Sequence, residues 1–506
     1  MLSNAKITLD PAFQVAPVDP RVYSSFIEHL GRAVYDGIYC PGHPTADALG
    51  FRRDVIELIR PLHIPMMRYP GGNFVSGFRW EDSVGPRDQR PRRLDRAWRT
   101  LETNQVGLHE FGAWCREIGA EMMMAVNLGT RGIDAACSLL EYCNHPSGSY
   151  WSDLRRSHGA EAPYKIKTWC LGNEMDGPWQ IGHKTAEEYG RLACETARAM
   201  RKIDPAIQLV ATGSSHPEMP TFPTWEATVL GHVYDDVDYL SLHQYLADST
   251  SDLGDFLAKS LTTEHFIRSV VATCDFVKAQ KRSSKQMMLS FDEWNVWYHS
   301  LGKDNEIQEK HPWQQAPGLV EDVYTLADAV VSGSMLITLL RHADRVKIAC
   351  LAQLVNVIAP IMTVPGGGKA WKQTIYYPFA QAAQYGHGTV LLTDVTCDRY
   401  DSKSFTDVPY LEAVALQDEA AHTLTLFAVN RSQTDSLPLS CDLRAFGPGR
   451  VVEHSALFGE DPQAVNGPGR ETIVPRPVSG TAAADGSLSA LLPPMSWNMI
   501  RVQLDG

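Results

Sequence analysis

An alternation of short apolar runs with longer amphipathic segments extends through residues 22–379 and constrains the fold more than any other feature. Eight of these runs have the length and composition of buried parallel strands. They are Val22–Phe26, Met66–Tyr69, Glu121–Val126, Thr168–Leu171, Gln208–Thr212, Tyr239–Leu242, Gln286–Phe291 and Ile348–Gln353. The segments between them, such as Phe51–Leu62 and Thr185–Ile203, have the apolar spacing and composition of helices. Eight strand–helix pairs predict a (β/α)8 barrel.

The pattern changes towards the C-terminus, where long helical segments give way to short strand-like runs. These runs are Val414–Leu416, Thr423–Val429, Leu437–Leu439, Val451–Leu457 and Met499–Leu504. Glycine- and proline-rich turns such as Gly447–Gly449 separate them, which predicts an all-β sandwich of the jelly-roll type. We expect the early run Ala5–Leu9 to complete this sandwich. The predicted domains are therefore an N-terminal strand segment (1–18), a catalytic barrel (19–385) and a C-terminal β-sandwich (386–506).

Composition and charge exclude several classes of protein. Hydrophobic residues make up 44% and charged residues 21% of the 506, as in ordinary globular proteins with a large core. The net charge of −13 argues against nucleic acid or an anionic membrane surface as a partner. No apolar stretch reaches the roughly 18 residues of a membrane span, and the N-terminus lacks a signal-peptide pattern. The ten cysteines contain no C-x-x-C pair, and we expect a reducing, cytoplasmic setting.

Polar side chains follow nearly every predicted strand, always at the same end. They are Glu28 and His29, Arg68 and Asn73, Asn127, Asn173 and Glu174, His243 to Tyr245, Asp292 to Asn295, and Gln353. In a (β/α)8 barrel the C-terminal ends of the strands carry the active site, whereas the opposite end serves stability. The pattern therefore predicts a functional site at this end of the barrel.

Two glutamates, Glu174 and Glu293, end the apolar motifs Trp169–Glu174 and Ser290–Asn295. Two carboxyl groups facing one cavity suit glycoside hydrolysis, in which one protonates the leaving oxygen and the other attacks the anomeric carbon. We expect them to lie about 5 Å apart if the anomeric configuration is retained. An isolated Asn-Glu pair is more often a helix cap or a solvated loop, but the joint pattern on strands 4 and 7 favours catalysis.

Amide, hydroxyl and aromatic side chains accompany these carboxyl groups. The candidates for hydrogen bonds to sugar hydroxyls are Glu28, Asn73, Asn173 and Gln353, and the candidates for apolar walls are Trp98, Trp179 and Trp297. Tyr245 is placed to donate a hydrogen bond to the nucleophile. A lone histidine such as His243 is more often an ordinary core or loop residue, and a loop tryptophan often simply packs.

Other signals point away from further functions. Arg87–Arg99 contains six arginines, but Asp88 and Asp95 interleave, so a solvated loop with ion pairs is favoured over a nucleic-acid surface. Gly366–Lys369 lacks the glycine spacing and the hydroxyl residue of a phosphate loop. No histidine–cysteine cluster indicates a metal, and no G-x-G-x-x-G opens a helix after a strand. We therefore expect neither a metal nor a cofactor.

Several longer motifs resemble one known family. They are Phe26–Arg32 (FIEHLGR), Arg68–Asn73 (RYPGGN), Leu171–Gly177 (LGNEMDG), Ala352–Asn356 (AQLVN) and the C-terminal Leu492–Trp497 (LPPMSW). Together they are similar to the α-L-arabinofuranosidases of glycoside hydrolase family 51, in the clan A retaining glycosidases. The resemblance spans almost the whole chain.

The resemblance implies Glu174 as acid/base and Glu293 as nucleophile, with Tyr245 orienting the nucleophile and His243 beside the acid/base. It implies sugar contacts from Glu28, Asn73, Asn173 and Gln353, in a pocket bordered by Trp98 and Trp297. Family members are commonly intracellular, cofactor-free homo-oligomers, often hexamers. The implied activity is exo-acting release of terminal arabinofuranose from oligosaccharides derived from arabinoxylan or arabinan.

Three alternatives stay open. An endoglucanase or β-xylosidase of the same clan would share the two glutamates. A non-catalytic sugar-binding protein would gain little from two close carboxyl groups, and a metal-dependent sugar isomerase would need a ligand cluster that the sequence does not display. The loops around Trp179 and Leu301–Pro317 leave the linkage preference undefined.

Overall fold

A closed barrel of eight parallel strands forms the centre of the molecule, which is described by a computed structural model over residues 2–505. Its strands are Ser24–Phe26, Met66–Tyr69, Glu121–Val126, Thr168–Leu171, Gln208–Ala211, Tyr239–Leu246, Met288–Val296 and Val346–Leu351. Each strand pairs with its neighbour in the chain, and the eighth pairs with the first. The predicted (β/α)8 barrel is confirmed.

Helices alternate with these strands and cover the barrel. The α-helices are Arg53–Ile59, Leu108–Ile118, Ile133–Asn144, Tyr150–Ser157, Ala186–Ile203, Thr224–Val233, Leu253–Leu257, Ser260–Lys281, Leu301–Lys310, Leu326–Arg341 and Tyr376–Tyr385. Helix Ala186–Ile203 shows why the sequence folds this way, because Thr185 and Glu188 form a capping box at its start and its buried residues recur three or four positions apart. Among residues 2–505, no helix is both long and apolar enough to cross a bilayer.

A two-sheet β-sandwich follows the barrel. One sheet has the strand order Asp394–Thr396, Ala5–Thr8, Leu437–Asp442, Ser487–Leu492 and Ala482–Ala484. The other has the order Gln14–Pro17, Thr389–Leu391, Leu411–Asp418, Thr423–Asn430, Ser496–Leu504, Gly449–Leu457 and Arg476–Pro477. Short two-stranded pairs lie elsewhere: Arg93–Asp95 with Thr100–Glu102, Ile361–Thr363 with Ala370–Lys372, and Arg399–Tyr400 with Val408–Pro409.

The N-terminal segment belongs to the sandwich, so the barrel is inserted between two parts of the β domain. Ala5–Thr8 pairs in parallel with Leu437–Asp442, as the sequence predicts for a strand that completes the sandwich. A second N-terminal strand, Gln14–Pro17, pairs with Thr389–Leu391 in the other sheet and has no counterpart in the sequence prediction. The domain boundaries after residues 18 and 385 stay a prediction.

Two barrel strands continue further than the apolar runs indicate. The sixth reaches Leu246 and the seventh reaches Val296, so His243, Tyr245 and Glu293 lie within strands rather than after them. Backbone pairing persists there, with His243 opposite Glu293 in the parallel register. The apolar run is shorter than the strand because polar side chains begin before the strand ends.

The arginine-rich segment is a short hairpin stabilised by ion pairs rather than an entirely irregular loop. Arg90 donates to both oxygens of Glu110 at 2.8 and 3.0 Å, and Arg87 lies 3.2 Å from the same carboxyl group. Arg93 pairs with Asp82 at 2.8 Å. Acidic partners thus occupy half of the arginines in this segment.

A buried interface cluster joins the barrel to the sandwich. It consists of Glu412 and Arg431 from the sandwich with Ser260, Thr338 and Arg341 from barrel helices. The Glu412 carboxyl group accepts hydrogen bonds from all four partners, at 2.8 Å from Ser260 Oγ and 2.9 Å from Arg341. Each carboxylate oxygen therefore has a guanidinium and a hydroxyl partner, which satisfies a charge that would be costly to bury alone.

Candidate active site

A cavity of about 670 Å³ lies at the C-terminal end of the barrel strands. Nine of the predicted site residues line it: Glu28, Asn73, Trp98, Glu174, Trp179, Tyr245, Glu293, Trp297 and Gln353. Asn173 and His243 are buried behind this wall and contact the residues that form it. The structure therefore brings the predicted residues together, in two layers.

The carboxyl groups of Glu174 and Glu293 lie side by side in the cavity wall. One oxygen of each lies within 4.8 Å of the other. Retaining glycosidases hold their two carboxyl groups about 5 Å apart, whereas inverting enzymes leave about 6.5–9.5 Å for a water molecule. His243 lies between them, with Nδ1 3.0 Å from Glu174 Oε1 and 3.6 Å from Glu293 Oε2.

Glu293 is held by two hydrogen-bond donors. The Arg68 guanidinium donates to Oε1 at 2.7 Å, and the Tyr245 hydroxyl donates to Oε2 at 2.8 Å. Arg68 is buried in the second barrel strand, where its charge is permanent. Both oxygens of Glu293 are thus fixed in direction, one of them by a cation.

Glu174 has a different environment. Burial raises the pKa of its carboxyl group, and the charge of Glu293 adds to the effect, although hydrogen bonds from His243 and Trp179 oppose it. The indole Nε1 of Trp179 donates to Oε2 at 2.6 Å. A raised pKa favours the acid form, which is the form that can protonate a leaving group.

His243 and Asp292 complete a buried charge network. Burial disfavours the imidazolium of His243, but Glu293, Asp292 and Glu174 outweigh it and raise its pKa to about 10. Burial likewise opposes ionisation of Asp292, but Arg68 and His243 bring its pKa below the usual range. The network holds two cations and three carboxyl groups, and the raised pKa of Glu174 favours the acid form of that carboxyl group.

Glu28 lies in the cavity wall beside the first barrel strand. Its Oε1 accepts the backbone N–H of Phe74 at 2.8 Å and the indole N–H of Trp98 at 2.9 Å, and Oε2 accepts from Gln353 at 3.3 Å. Burial raises its pKa to about 8. A Cβ on Gly72 would lie 2.5 Å from Oε2, so the RYPGGN motif needs glycine for this close approach.

Asn173 connects Arg68, the partner of Glu293, to Asn73 in the cavity wall through hydrogen bonds. Its Oδ1 accepts from Arg68 at 2.8 Å, and its amide N–H donates to Gln180 at 3.2 Å and to Asn73 at 3.4 Å. These bonds fix which end of the amide faces Arg68. Asn73 in turn lies at the surface of the cavity.

Aromatic rings border the opening. Trp297 meets Tyr245 edge to face with centroids 5.4 Å apart, and Trp179 lies parallel to His216 with centroids 6.0 Å apart. Trp179 is 46% exposed, which leaves much of its ring free to contact a ligand. Sugar rings commonly pack their apolar faces on such surfaces.

Sequence reasoning assigned no role to Arg68 or Asp292, although both lie in quoted motifs. A structural role for Arg68 could have been predicted from the sequence, because a permanent charge inside the buried run Met66–Tyr69 requires an acidic partner in the barrel interior. The partner itself, 225 positions away, could not be read from the sequence.

Glu174, His243 and Glu293 also present ligand atoms close enough for a shared metal ion. Glu174 Oε1 and His243 Nδ1 are already hydrogen-bonded to each other, and Arg68 and Tyr245 occupy the two oxygens of Glu293. Proton chemistry accounts for this arrangement, and a chelator distinguishes it from metal binding.

Several known proteins are similar to this chain in both sequence and structure. A family model described as the α-L-arabinofuranosidase 1 domain matches residues 58–255, and one described as the α-L-arabinofuranosidase C-terminal domain matches residues 292–496. An intracellular exo-α-(1→5)-L-arabinofuranosidase of Halalkalibacterium halodurans is 59% identical over 99% of both chains. One of the same name from Acetivibrio thermocellus is 55% identical over 99% of this chain and all of its own.

Among solved structures, a family 51 α-L-arabinofuranosidase from Bifidobacterium longum superposes with a TM-score of 0.94, at 44% identity and 99% coverage of both chains. Such sequence identity over the full length, together with the shared barrel and sandwich, establishes the family. The chain belongs to the α-L-arabinofuranosidases of glycoside hydrolase family 51.

Proposed function

We propose that this protein is an exo-acting, retaining α-L-arabinofuranosidase that releases terminal non-reducing α-L-arabinofuranosyl residues from oligosaccharides derived from arabinan or arabinoxylan. The close pair Glu174 and Glu293, within 4.8 Å in the cavity of a family 51 chain, carries the proposal. The names of its relatives support a preference for α-(1→5) linkages and an intracellular role.

The reaction proceeds in two displacements. Glu174 gives its proton to the glycosidic oxygen while the Glu293 carboxylate attacks the anomeric carbon, so the C–O bond to the leaving group breaks and an arabinosyl ester forms. The Glu174 carboxylate then takes a proton from water, which attacks the same carbon and frees Glu293. Two inversions give net retention.

The remaining residues bind and orient. Arg68 and Tyr245 hold Glu293 in its attacking direction, and His243 fixes Glu174 on the leaving-group side. The hydrogen-bonding groups for arabinose hydroxyls are Glu28, Asn73, Asn173 and Gln353, and the aromatic walls are Trp98, Trp179 and Trp297. With Glu28 protonated, the cavity offers a donor as well as acceptors to the sugar.

Azide rescue separates the roles of the two glutamates. In Glu174→Ala the nucleophile survives, so an aryl arabinofuranoside with a good leaving group should still form the ester, which then accumulates because no base activates water. Azide needs no base and should restore turnover, giving an arabinosyl azide of unchanged anomeric configuration. Glu293→Ala should show no such product.

Two results would overturn the assignment. Azide rescue of Glu293→Ala with inverted product would exchange the two roles. A loss of less than about 100-fold in both variants would place the catalytic site elsewhere.

A panel of aryl glycosides tests the activity itself. Arabinofuranosides should be cleaved at least about 100-fold faster than β-xylosides or β-glucosides, in keeping with the activity that the relatives are named for. Preference for a glucan or a xyloside would favour the same-clan alternatives. Activity that survives a chelator excludes a metal-dependent reaction.

We also propose a homo-oligomer, with a hexamer as the specific expectation, on the strength of the family resemblance. The ten cysteines are all unpaired within the described chain and most are buried, so no interchain disulfide is invoked. Light scattering in reducing buffer should report a mass well above 56.1 kDa. A monomer would contradict this part of the proposal.

A further inference from the structure

The acid/base glutamate Glu174 has a hydrogen-bond partner that is largely exposed. Trp179 donates its indole N–H to Glu174 Oε2 at 2.6 Å, yet 46% of the residue is exposed. It belongs to the irregular segment after the fourth barrel strand, not to a strand or helix. The indole covers Gly177, where a Cβ would lie 2.5 Å from the ring, so only one side of Trp179 is supported by its own loop.

Trp179 also contacts the loop after the fifth barrel strand. His216 lies parallel to the indole, with an interplanar angle of 14°. His216, Pro217 and Glu218 all line the cavity together with Trp179. The position of His216 therefore sets how the indole can sit over Glu174.

A buried carboxyl group joins these two loops. Asp176, two residues after Glu174, accepts the backbone N–H of Ser215 at 3.0 Å through Oδ2 and the Ser215 hydroxyl through Oδ1. A second carboxyl group also holds this loop: the backbone N–H of Ser214 donates to Glu226 Oε1 at 2.7 Å. Asp176 is 8% exposed, and burial raises its pKa against the opposing effects of the Ser215 hydrogen bonds and of the charge of His243. Its side-chain hydrogen bonds go to Ser215 in this loop.

We propose that Asp176 is a positioning residue for acid/base catalysis, acting through Ser215 and His216 to hold the Trp179 N–H on Glu174 and to keep the exposed part of Trp179 at the cavity, where the leaving group would lie. This inference rests on the proposed function and adds a residue to it. Asp176 itself touches no reacting atom.

The effect should depend on how much protonation a leaving group needs. For Asp176→Ala, kcat/KM on an arabino-oligosaccharide should fall about 10-fold to 100-fold, the value of one hydrogen bond to a charged group. On an aryl arabinofuranoside with a good leaving group, kcat/KM should fall less than about 3-fold, because departure needs little acid assistance. Ser215→Ala keeps the backbone donor and should give a smaller loss in the same direction.

The pH profile supplies a second readout. The Trp179 N–H stabilises the ionised form of Glu174 and so lowers its pKa. Releasing this bond raises that pKa, and the alkaline limb of kcat/KM should move to higher pH in Asp176→Ala and in Trp179→Phe alike. A residue with a merely structural role would lower activity without moving this limb.

A double-mutant cycle decides the question. Since Asp176 acts through Trp179, adding Asp176→Ala to Trp179→Phe should lower oligosaccharide kcat/KM by less than about 2-fold more. Additive losses, equal losses on both substrates or an unmoved alkaline limb would each overturn the inference. Thermal unfolding confirms that each variant is folded, and Ser215→Ala serves if Asp176→Ala is not. Failure of the wild type to cleave arabinofuranosides would instead refute the proposed function.

Discussion

Buried glutamate–arginine pairs occur in two regions of this molecule with opposite consequences. At the interface cluster, Glu412 faces Arg431 and Arg341 together with two hydroxyl groups. In the cavity, Glu293 also has an arginine partner, Arg68, but a second carboxyl group lies within 4.8 Å. In the interface cluster each carboxylate oxygen has a cationic partner, whereas in the cavity the carboxyl groups outnumber the cations.

The comparison shows what distinguishes a functional buried charge from a structural one. Burial and an ion pair are common to both regions, so neither identifies a site. The cavity adds an excess of carboxyl over cationic groups and an opening to substrate. Burial and that excess together raise the pKa of Glu174, and enzymes commonly tolerate such unfavourable arrangements at the site because they are needed for chemistry.

The largest effect should come from Glu293→Gln. Without a nucleophile, kcat on every arabinofuranoside should fall about 10⁴-fold or more. The melting temperature should change little, because Asp292 remains as a counter-ion, 3.6 Å from Arg68 and 3.2 Å from His243. Steady-state kinetics and calorimetry on one preparation check both parts, and a clear loss of stability would weaken the contrast with the interface.

The matched substitution at the interface, Glu412→Gln, should do the reverse. The buried Arg431 would lose its counter-ion and Arg341 would keep only Glu264, at 3.5 Å, so the free energy of unfolding should fall by about 3 kcal/mol. Denaturant titration measures this loss. The folded enzyme should keep kcat within about 2-fold of wild type, since no cavity residue contacts Glu412. A large drop in kcat would show that the two regions are coupled.

Tyr245→Phe tests how much one hydrogen-bond donor to Glu293 contributes to catalysis in the cavity. Loss of the hydroxyl that donates to Glu293 at 2.8 Å should lower kcat/KM about 10-fold to 100-fold. The ring remains to pack against Trp297, so the unfolding temperature should change little. Equal losses in kcat/KM and in stability would indicate a packing role instead.

The smallest effect concerns Glu28 and the pH dependence of stability. Its pKa is raised by burial to about 8, so the folded state holds this proton more tightly than the unfolded chain does. The associated stability is complete below the unfolded pKa of about 4.3 and is lost as pH rises through about 8.

In Glu28→Gln the decline of the unfolding temperature across this pH range should flatten. Replacement of an exposed glutamate, Glu460→Gln, controls for the lost charge. An unchanged slope in Glu28→Gln would show that Glu28 is ionised throughout.

Local patterns in the sequence were enough to predict the barrel and the candidate residues. Apolar runs such as Thr168–Leu171 end where polar side chains begin, and both Glu174 and Glu293 follow from that rule. The rule placed the ends of the sixth and seventh strands too early, because inward polar side chains do not stop backbone pairing. The strand Gln14–Pro17 escaped prediction because its residues are only partly buried and show no alternation.

Long-range pairings could not be predicted in this way. Arg68 reaches Glu293 across the barrel, and Glu412 meets Arg341 across the domain interface. Neither pair has a fixed spacing in the chain, since the closure of the barrel and the docking of the sandwich create them. The Asp176–Ser215 contact between two loops is of the same kind.

The pairing of Ala5–Thr8 with Leu437–Asp442 bears on how the chain is made. A ribosome releases the N-terminal strand first and its partner more than 400 residues later, by which time all eight barrel strands, ending at Leu351, have emerged. The barrel therefore closes while the first strand still has an open edge, and such edges template aggregation. If translation stops after the barrel strands have emerged but before Leu437–Asp442 is made, the chain should precipitate. It should do so although the cavity end of its barrel is already complete.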